Sequence, residues 1–229
     1  MALNVATLKT RSLTAVVFVA VMLTGLLWNF WSFLILFTIV HFGCWYELVK
    51  LMKKIYGEKY WVYCLFGLIY ITLPILMLLE LGFKIPTAGN ELIIFTNLLP
   101  CAIIFSIWIN DTMAYIVGSL IGKTPFSKIS PKKTWEGTVG GAVLCIVVIA
   151  LLGYFIPVAK VIAVKHWIII AALCAIFGTI GDLFESKLKR MANVKDSGSI
   201  MPGHGGFLDR FDSLLFAAPA VWVYVKLFM

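Results

Sequence analysis

The sequence predicts an all-α, polytopic integral membrane helix bundle of about seven to nine transmembrane helices. Three observations carry this expectation. The 229 residues are 62% hydrophobic and only 13% charged, more apolar surface than a soluble domain of that length can bury. The apolar residues gather into runs near the ~20 residues a helix needs to cross a bilayer core. Backbone polar groups in lipid must be satisfied within their own segment, so such runs read as helices. No soluble domain, internal repeat or low-complexity linker interrupts them. The chain therefore reads as one membrane domain over 1–229, with N-terminal helices over 1–105 and further helices joined by cytoplasmic loops over 106–229.

Seven apolar stretches can be placed, at roughly 12–27, 29–49, 60–80, 91–121, 137–156, 165–185 and 212–229. No A-x-A-like cleavage site follows the first, so it reads as a retained span rather than a signal peptide. Trp28, Trp31, Trp61 and Trp167 near span ends read as interface anchors, and His41 and Glu47 on the second stretch are grouped with them. The fourth stretch is too long for one simple span and holds Asn110-Asp111-Thr112 in its interior. A broken helix is expected there, with the polar triplet facing the protein interior or a wet cavity. Structural hydrogen bonding is the plainer alternative for the triplet. The last stretch should bend or loosen at Pro219, which has no N–H to donate. Cys44, Cys64, Cys101, Cys145 and Cys174 all lie in apolar stretches without CxxC spacing, which favours packing over disulfide or zinc roles.

The net charge of +8 does not point to nucleic acid, because the cations sit in short loops between apolar runs and form no soluble basic domain. They report topology instead. One side of the membrane receives Lys9, Arg11, Lys50, Lys53, Lys54, Lys59, Lys123, Lys128, Lys132, Lys133, Lys187, Lys189, Arg190, Lys195 and Arg210; the other receives Lys84, Lys160, Lys165 and Lys226. Fifteen cations against four make the first side cytoplasmic, and they put the loops at 122–136 and 186–212 on that same side.

Those two loops carry the chemistry. Asp182 and Glu185 are three apart at a helix end and share a face, and Asp209 and Asp212 repeat the spacing where the last helix begins. Acids at a membrane edge are costly and are kept for a function or a partner. Two readings are open for each pair: Asp182 and Glu185 hold a metal ion or pair with Lys189 and Arg190, and Asp209 and Asp212 hold a metal ion or cap a helix. Pro202-Gly203-His204-Gly205-Gly206 lets backbone approach a phosphate closely, or forms a flexible turn. His204 either donates to phosphate or moves a proton there, or is a surface residue. The run from Lys123 to Gly137, KTPFSKISPKKTWEG, has the lysines and hydroxyls of a phosphate-binding loop. A positive-inside flank would explain its lysines, but not Ser130-Pro131 before Lys132-Lys133-Thr134, nor Trp135-Glu136-Gly137 opening the next span.

In order and spacing, Ser186-Lys187-Leu188-Lys189-Arg190, Lys195-Asp196-Ser197-Gly198, Pro202-Gly203-His204-Gly205-Gly206 and Leu208-Asp209-Arg210-Phe211-Asp212 resemble the signature of phosphatidate cytidylyltransferases, or CDP-diacylglycerol synthases. Asn110-Asp111-Thr112 with Ala114-Tyr115, Ser130 to Gly137, and Gly181-Asp182-Leu183 with Glu185-Ser186 resemble further blocks of that family. The resemblance covers about residues 106 to 213 and departs at Ser119, where many members carry arginine. It implies a reaction in which CTP and phosphatidic acid give CDP-diacylglycerol and pyrophosphate. Asp182 and Asp209, with Glu185 beside them, would then hold a metal centre of magnesium with neighbouring potassium, and Lys195, Asp196 and His204 would join them in catalysis. Lys132, Lys133, Lys187, Lys189, Arg190 and Arg210 would neutralise phosphate charge. Lys123, Ser130, Thr134, Glu136, Ser186, Gly205, Gly206, Asp212 and Asp111 would complete the substrate contacts. The resemblance further implies a homodimer in a bacterial-type cytoplasmic (inner) membrane, its site facing the cytoplasm. Other classes fit less well. The DG-x-x-A-R pattern of CDP-alcohol phosphotransferases is not in the sequence. A CTP-using kinase of a lipid alcohol would need similar parts, and a transporter using Asp111, Asp182 and Glu185 as ion ligands would be expected to show paired repeats.

Overall fold

The computed structural model describes residues 5–83, 95–127, 129–200 and 205–229. Each predicted apolar stretch contains helix. In order these are α1 (Val5–Leu27), α2 (Phe30–Tyr56), α3 (Tyr60–Cys64), α4 (Leu73–Leu81), α5 (Leu98–Ile121), α6 (Trp135–Phe155), α7 (Val164–Met191) and α8 (Leu208–Phe228). Among the described residues no strand forms, and only isolated bridges join Phe83 to Phe95 and Pro125 to Thr134. Among the described residues five helical runs are long and apolar enough to cross a membrane: Phe30–Cys64, Leu98–Ile121, Trp135–Phe155, Val164–Met191 and Leu208–Phe228. Ser12–Leu27 and Leu68–Leu81 are shorter apolar helices. The chain is an all-α membrane helix bundle.

The broken helix expected near Asn110-Asp111 is a correction: α5 runs unbroken from Leu98 to Ile121. The polar triplet is absorbed without cutting the ladder, because Thr112 Oγ1 donates back to Trp108 O at 2.7 Å and Asp111 lines a cleft. The irregular backbone lies instead in the third stretch, where a π-helical turn at Leu68–Thr72 precedes Pro74. Proline has no N–H for the ladder, and a wider turn ahead of it accommodates the loss. Thr72 is fixed there by α2: its Oγ1 accepts from Trp45 Nε1 at 2.9 Å and lies 3.0 Å from His41 Nε2. His41 is thus a partner of Thr72. Helix α2 starts in a capping box, Asn29 accepting from Ser32 N while Ser32 Oγ accepts from Asn29 N. It ends at Gly57, whose φ of 55° suits glycine.

The fold contains two compact units. One comprises Met1–Ile75 and Lys187–Phe211, the other Leu76–Ser186 and Asp212–Met229. In the first, Met22 and Leu26 of α1 and Phe33, Phe37, Leu48 and Leu51 of α2 are buried, and the Phe207 ring occupies the space beside α2 that a side chain at Gly43 would need.

In the second unit, α5 and α6 meet backbone to backbone. A Cβ on Gly141 would lie 2.7 Å from Ala114 Cα, and one on Gly137 2.7 Å from Ala114 O. Small residues permit such approach where lipid offers no hydrophobic drive. Because the obstacle is backbone, Gly141→Val is expected to destabilise by about 1–3 kcal/mol or more, read as a lower unfolding temperature of the detergent-solubilised protein. Helices α7 and α8 close up in the same way. Ser213 Oγ donates to Gly178 O at 3.0 Å, and Gly181 lies against the Asp212 backbone. That approach builds the site described next.

Candidate active site

In the unit containing α5 to α7, the elements converge on three carboxylates. Asp182 and Glu185 share a face of α7, and Asp212 joins them because Gly181 leaves room for the start of α8. One oxygen from each lies within 4.8 Å of the others. Glu185 and Asp212 are buried, whereas Asp182 is partly open. Ser186 Oγ donates to Asp182 Oδ1 at 3.3 Å. On its outer side Asp182 forms an ion pair with Lys133.

Lys133 arrives on the loop between α5 and α6, which is folded back on itself. Phe126 N donates to Lys133 O at 2.8 Å, Trp135 N to Thr124 O at 3.0 Å, and Lys133 N to Ser130 O at 3.1 Å. Glu136 fastens its first residues: the carboxylate accepts from Thr124 Oγ1 at 2.8 Å and from the amides of Lys123 and Thr124 at 3.2 Å. Thr134 caps α6, its Oγ1 accepting from Gly137 N at 3.1 Å. Glu136 and Thr134 therefore shape the loop. Between it and the helices opens a cleft of about 480 Å³, lined by Asn110, Asp111, Tyr115, Ser119, Ser130, Lys132, Lys133, Thr138, Thr179 and Asp182 among others. Its volume lies in the range of small-molecule sites. Carboxylates at one end and lysines and hydroxyls along the wall suit an anionic ligand.

In the other unit, a second polar centre forms around Asp209. Its Oδ1 accepts from Lys189 Nζ at 2.6 Å and its Oδ2 from the amides of Ser197 and Gly206, each at 2.8 Å, with Ser197 Oγ 2.9 Å from that oxygen. Gly205 takes φ 82°, and a Cβ there would meet Asp209 Oδ2. Helix α7 stops just before this loop with Asn193 left-handed, Val194 N donating to Lys189 O at 2.9 Å and Asn193 N to Arg190 O at 3.1 Å. Arg190 Nη1 donates to Val194 O at 3.3 Å.

The structure thus gathers Asp182, Glu185, Asp212, Asp111, Ser130, Lys132, Lys133 and Thr134 in one unit, and Lys189, Gly205, Gly206 and Asp209 in the other. Lys123, Lys187, Arg190, Lys195, Asp196 and Arg210 are exposed. His204 lies outside the described residues. Asp209 belongs to the Lys189 centre, and Asp212 is the third acid of the carboxylate group. Sequence reasoning placed Glu47 among the interface anchors. In the fold it is 1% exposed and accepts from Ser197 Oγ at 2.6 Å and from the amides of Phe207 and Leu208, each at 2.9 Å. The only signal in the sequence was an acid inside an apolar stretch.

Comparison with known proteins bears on this arrangement. The model of the family described as "Cytidylyltransferase family" matches residues 59–228. The phosphatidate cytidylyltransferase of Bacillus subtilis is 46% identical over 124 residues, 53% of this chain and 45% of that protein. The phosphatidate cytidylyltransferase of Thermotoga maritima is 39% identical over 167 residues, 70% of this chain and 57% of that protein. That of Staphylococcus saprophyticus is 40% identical over 158 residues, 69% and 56% respectively. The chain spans about half the length of the curated relatives it matches.

Proposed function

This chain belongs to the cytidylyltransferase family, and from that membership we propose that it transfers CMP from CTP to phosphatidic acid, leaving CDP-diacylglycerol in the membrane and releasing pyrophosphate. A lipid phosphate oxygen forms a bond to the α-phosphorus of CTP as the bond from that phosphorus to the β-phosphate bridging oxygen breaks. The observation that carries this conclusion is the Lys133–Asp182 ion pair, which sets a lysine-bearing loop against a group of carboxylates in one cleft.

Both reactants are anions, so the chain must suppress their repulsion and hold them in line. Lys132 and Lys133 serve the triphosphate, and Lys133 exchanges the Asp182 carboxylate for phosphate oxygen when nucleotide enters. The Ser130 hydroxyl adds a hydrogen-bond donor beside them. Lys187, Lys189, Arg190 and Arg210 neutralise phosphate on lipid and nucleotide, with Asp209 holding Lys189 in place. Asp182, Glu185 and Asp212 are an all-oxygen donor set, which fits magnesium. The ion, when bound, supplies charge neutralisation on the phosphates. The cation bias of the loops supports a cytoplasmic-membrane enzyme whose site faces the cytoplasm, where CTP arrives from water while acyl chains stay in the bilayer. The family resemblance further supports a homodimer.

The experiment is pyrophosphate release by the purified, lipid-reconstituted protein. CTP, magnesium and phosphatidic acid together are expected to give pyrophosphate and CDP-diacylglycerol in equal amounts. A free lipid alcohol in place of phosphatidic acid is expected to give neither. Phosphorylation of that alcohol would make the protein a kinase, and no lipid-dependent turnover would overturn the proposal.

A further inference from the structure

Glu47 stands on α2, upstream of the matched residues 59–228. Its carboxylate is buried with no ion-pair partner among the described residues, and three hydrogen bonds engage it. Two come from the amides of Phe207 and Leu208, where α8 begins and where the first-turn N–H groups have no partner within the helix. Glu47 therefore caps α8 from another helix, one residue ahead of Asp209. The third bond comes from Ser197 Oγ, which also lies 2.9 Å from Asp209 Oδ2 while the Ser197 amide donates to that same oxygen. Both contacts of Ser197 thus run between Glu47 and Asp209.

The loop glycines fit this carboxylate. A Cβ on Gly198 or on Gly206 would overlap Glu47 Oε1. Neither glycine has a positive φ, so the requirement for glycine is the space Glu47 occupies and not the backbone conformation. Gly206 also donates its amide to Asp209 Oδ2. One buried acid therefore sets the start of α8, the placement of Ser197 and the close pass of Gly206, and each of these touches Asp209.

We propose that Glu47 is a positioning residue for CMP transfer: it touches no substrate and acts by holding Ser197, Gly206 and the first turn of α8 so that Asp209 and its Lys189 partner are aimed. This rests on the functional reading given above. Glutamine is nearly isosteric, but it replaces one acceptor oxygen with an NH₂ that faces donors. Glu47→Gln is therefore expected to lower kcat at least about tenfold, toward the roughly hundredfold that a ~1 Å misplacement costs. The KM values for CTP and phosphatidic acid should stay within about threefold, because no binding contact is removed.

Gly206→Ala tests the same contact from the loop side. It should reproduce the kcat loss in the parent background. In a Glu47→Ala background, where the clash is gone, it should add less than about twofold, the non-additivity expected of touching groups. Rates are taken per mole of monodisperse, folded protein in detergent, with unfolding temperatures measured alongside. If Glu47→Gln keeps kcat within twofold and only the unfolding temperature falls, Glu47 is a fold anchor and the proposal is overturned. A raised KM with unchanged kcat overturns it too. Parent protein that transfers no CMP overturns the functional reading instead, so the two failures are told apart.

Discussion

Asp182→Asn is expected to abolish CMP transfer while leaving the protein folded. The substitution keeps the volume and removes the charge that meets Lys133 and two neighbouring carboxylates. A divalent ion on such a donor set supplies several kcal/mol of charge stabilisation. Each tenfold in rate corresponds to about 1.4 kcal/mol, so the loss should exceed about a thousandfold. Stability should hardly move. The Lys133 and Asp182 side chains are 29% and 28% exposed, and partly solvated pairs of this kind contribute about 0–1 kcal/mol. Pyrophosphate release and thermal unfolding, measured on one preparation, check both halves. Activity surviving at a tenth of the parent level would show that Asp182 is not part of the reacting centre.

Asp209→Asn should also stop turnover, but with a different signature. Lys189 and Asp209 are 12% and 9% exposed at the side chain, and the carboxylate accepts two further hydrogen bonds, from the amides of Ser197 and Gly206. Asparagine keeps one acceptor oxygen and turns an NH₂ toward either Lys189 or the loop amides. Removing one partner of a buried pair costs about 3–5 kcal/mol because the other charge is left uncompensated. The unfolding temperature should therefore fall clearly, together with at least about a hundredfold loss of rate, as expected when a catalytic element is misplaced. Loss of rate without loss of stability would mean that the Lys189 centre is dispensable to the fold, and retention of both would remove it from the site.

Much of the architecture was legible without coordinates. Runs of apolar residues near bilayer length can hardly be anything but helices, and each contains helix in the fold. The spacing of Asp182 and Glu185 puts them on one face of whatever helix they occupy. The places where expectation and structure part have identifiable causes. Asn110-Asp111 read as a break because the stretch around them is too long for one span, yet α5 begins only at Leu98, Thr112 satisfies itself on Trp108 O and Asp111 faces a cleft. Glu136 and Thr134 read as substrate contacts because they sit among lysines. In the fold Glu136 accepts from Thr124, and Thr134 accepts from Gly137 N while also lining the cleft, local bonds that residue type alone does not reveal.

Sequence by itself determined the class of fold, the family and the polar stretches that carry the chemistry, since hydrophobic run length, cation bias and motif spacing are properties of the chain read locally. Tertiary structure alone decided which carboxylate completes the group with Asp182 and Glu185, because the answer depends on how closely α8 can pass Gly178 and Gly181. It alone raised Glu47 from an anchor to the cap of a helix about 160 residues away in the chain. Hydrogen bonds and close packing act over a few ångströms in space, and a contact between residues so far apart in the chain leaves no periodic trace in the sequence.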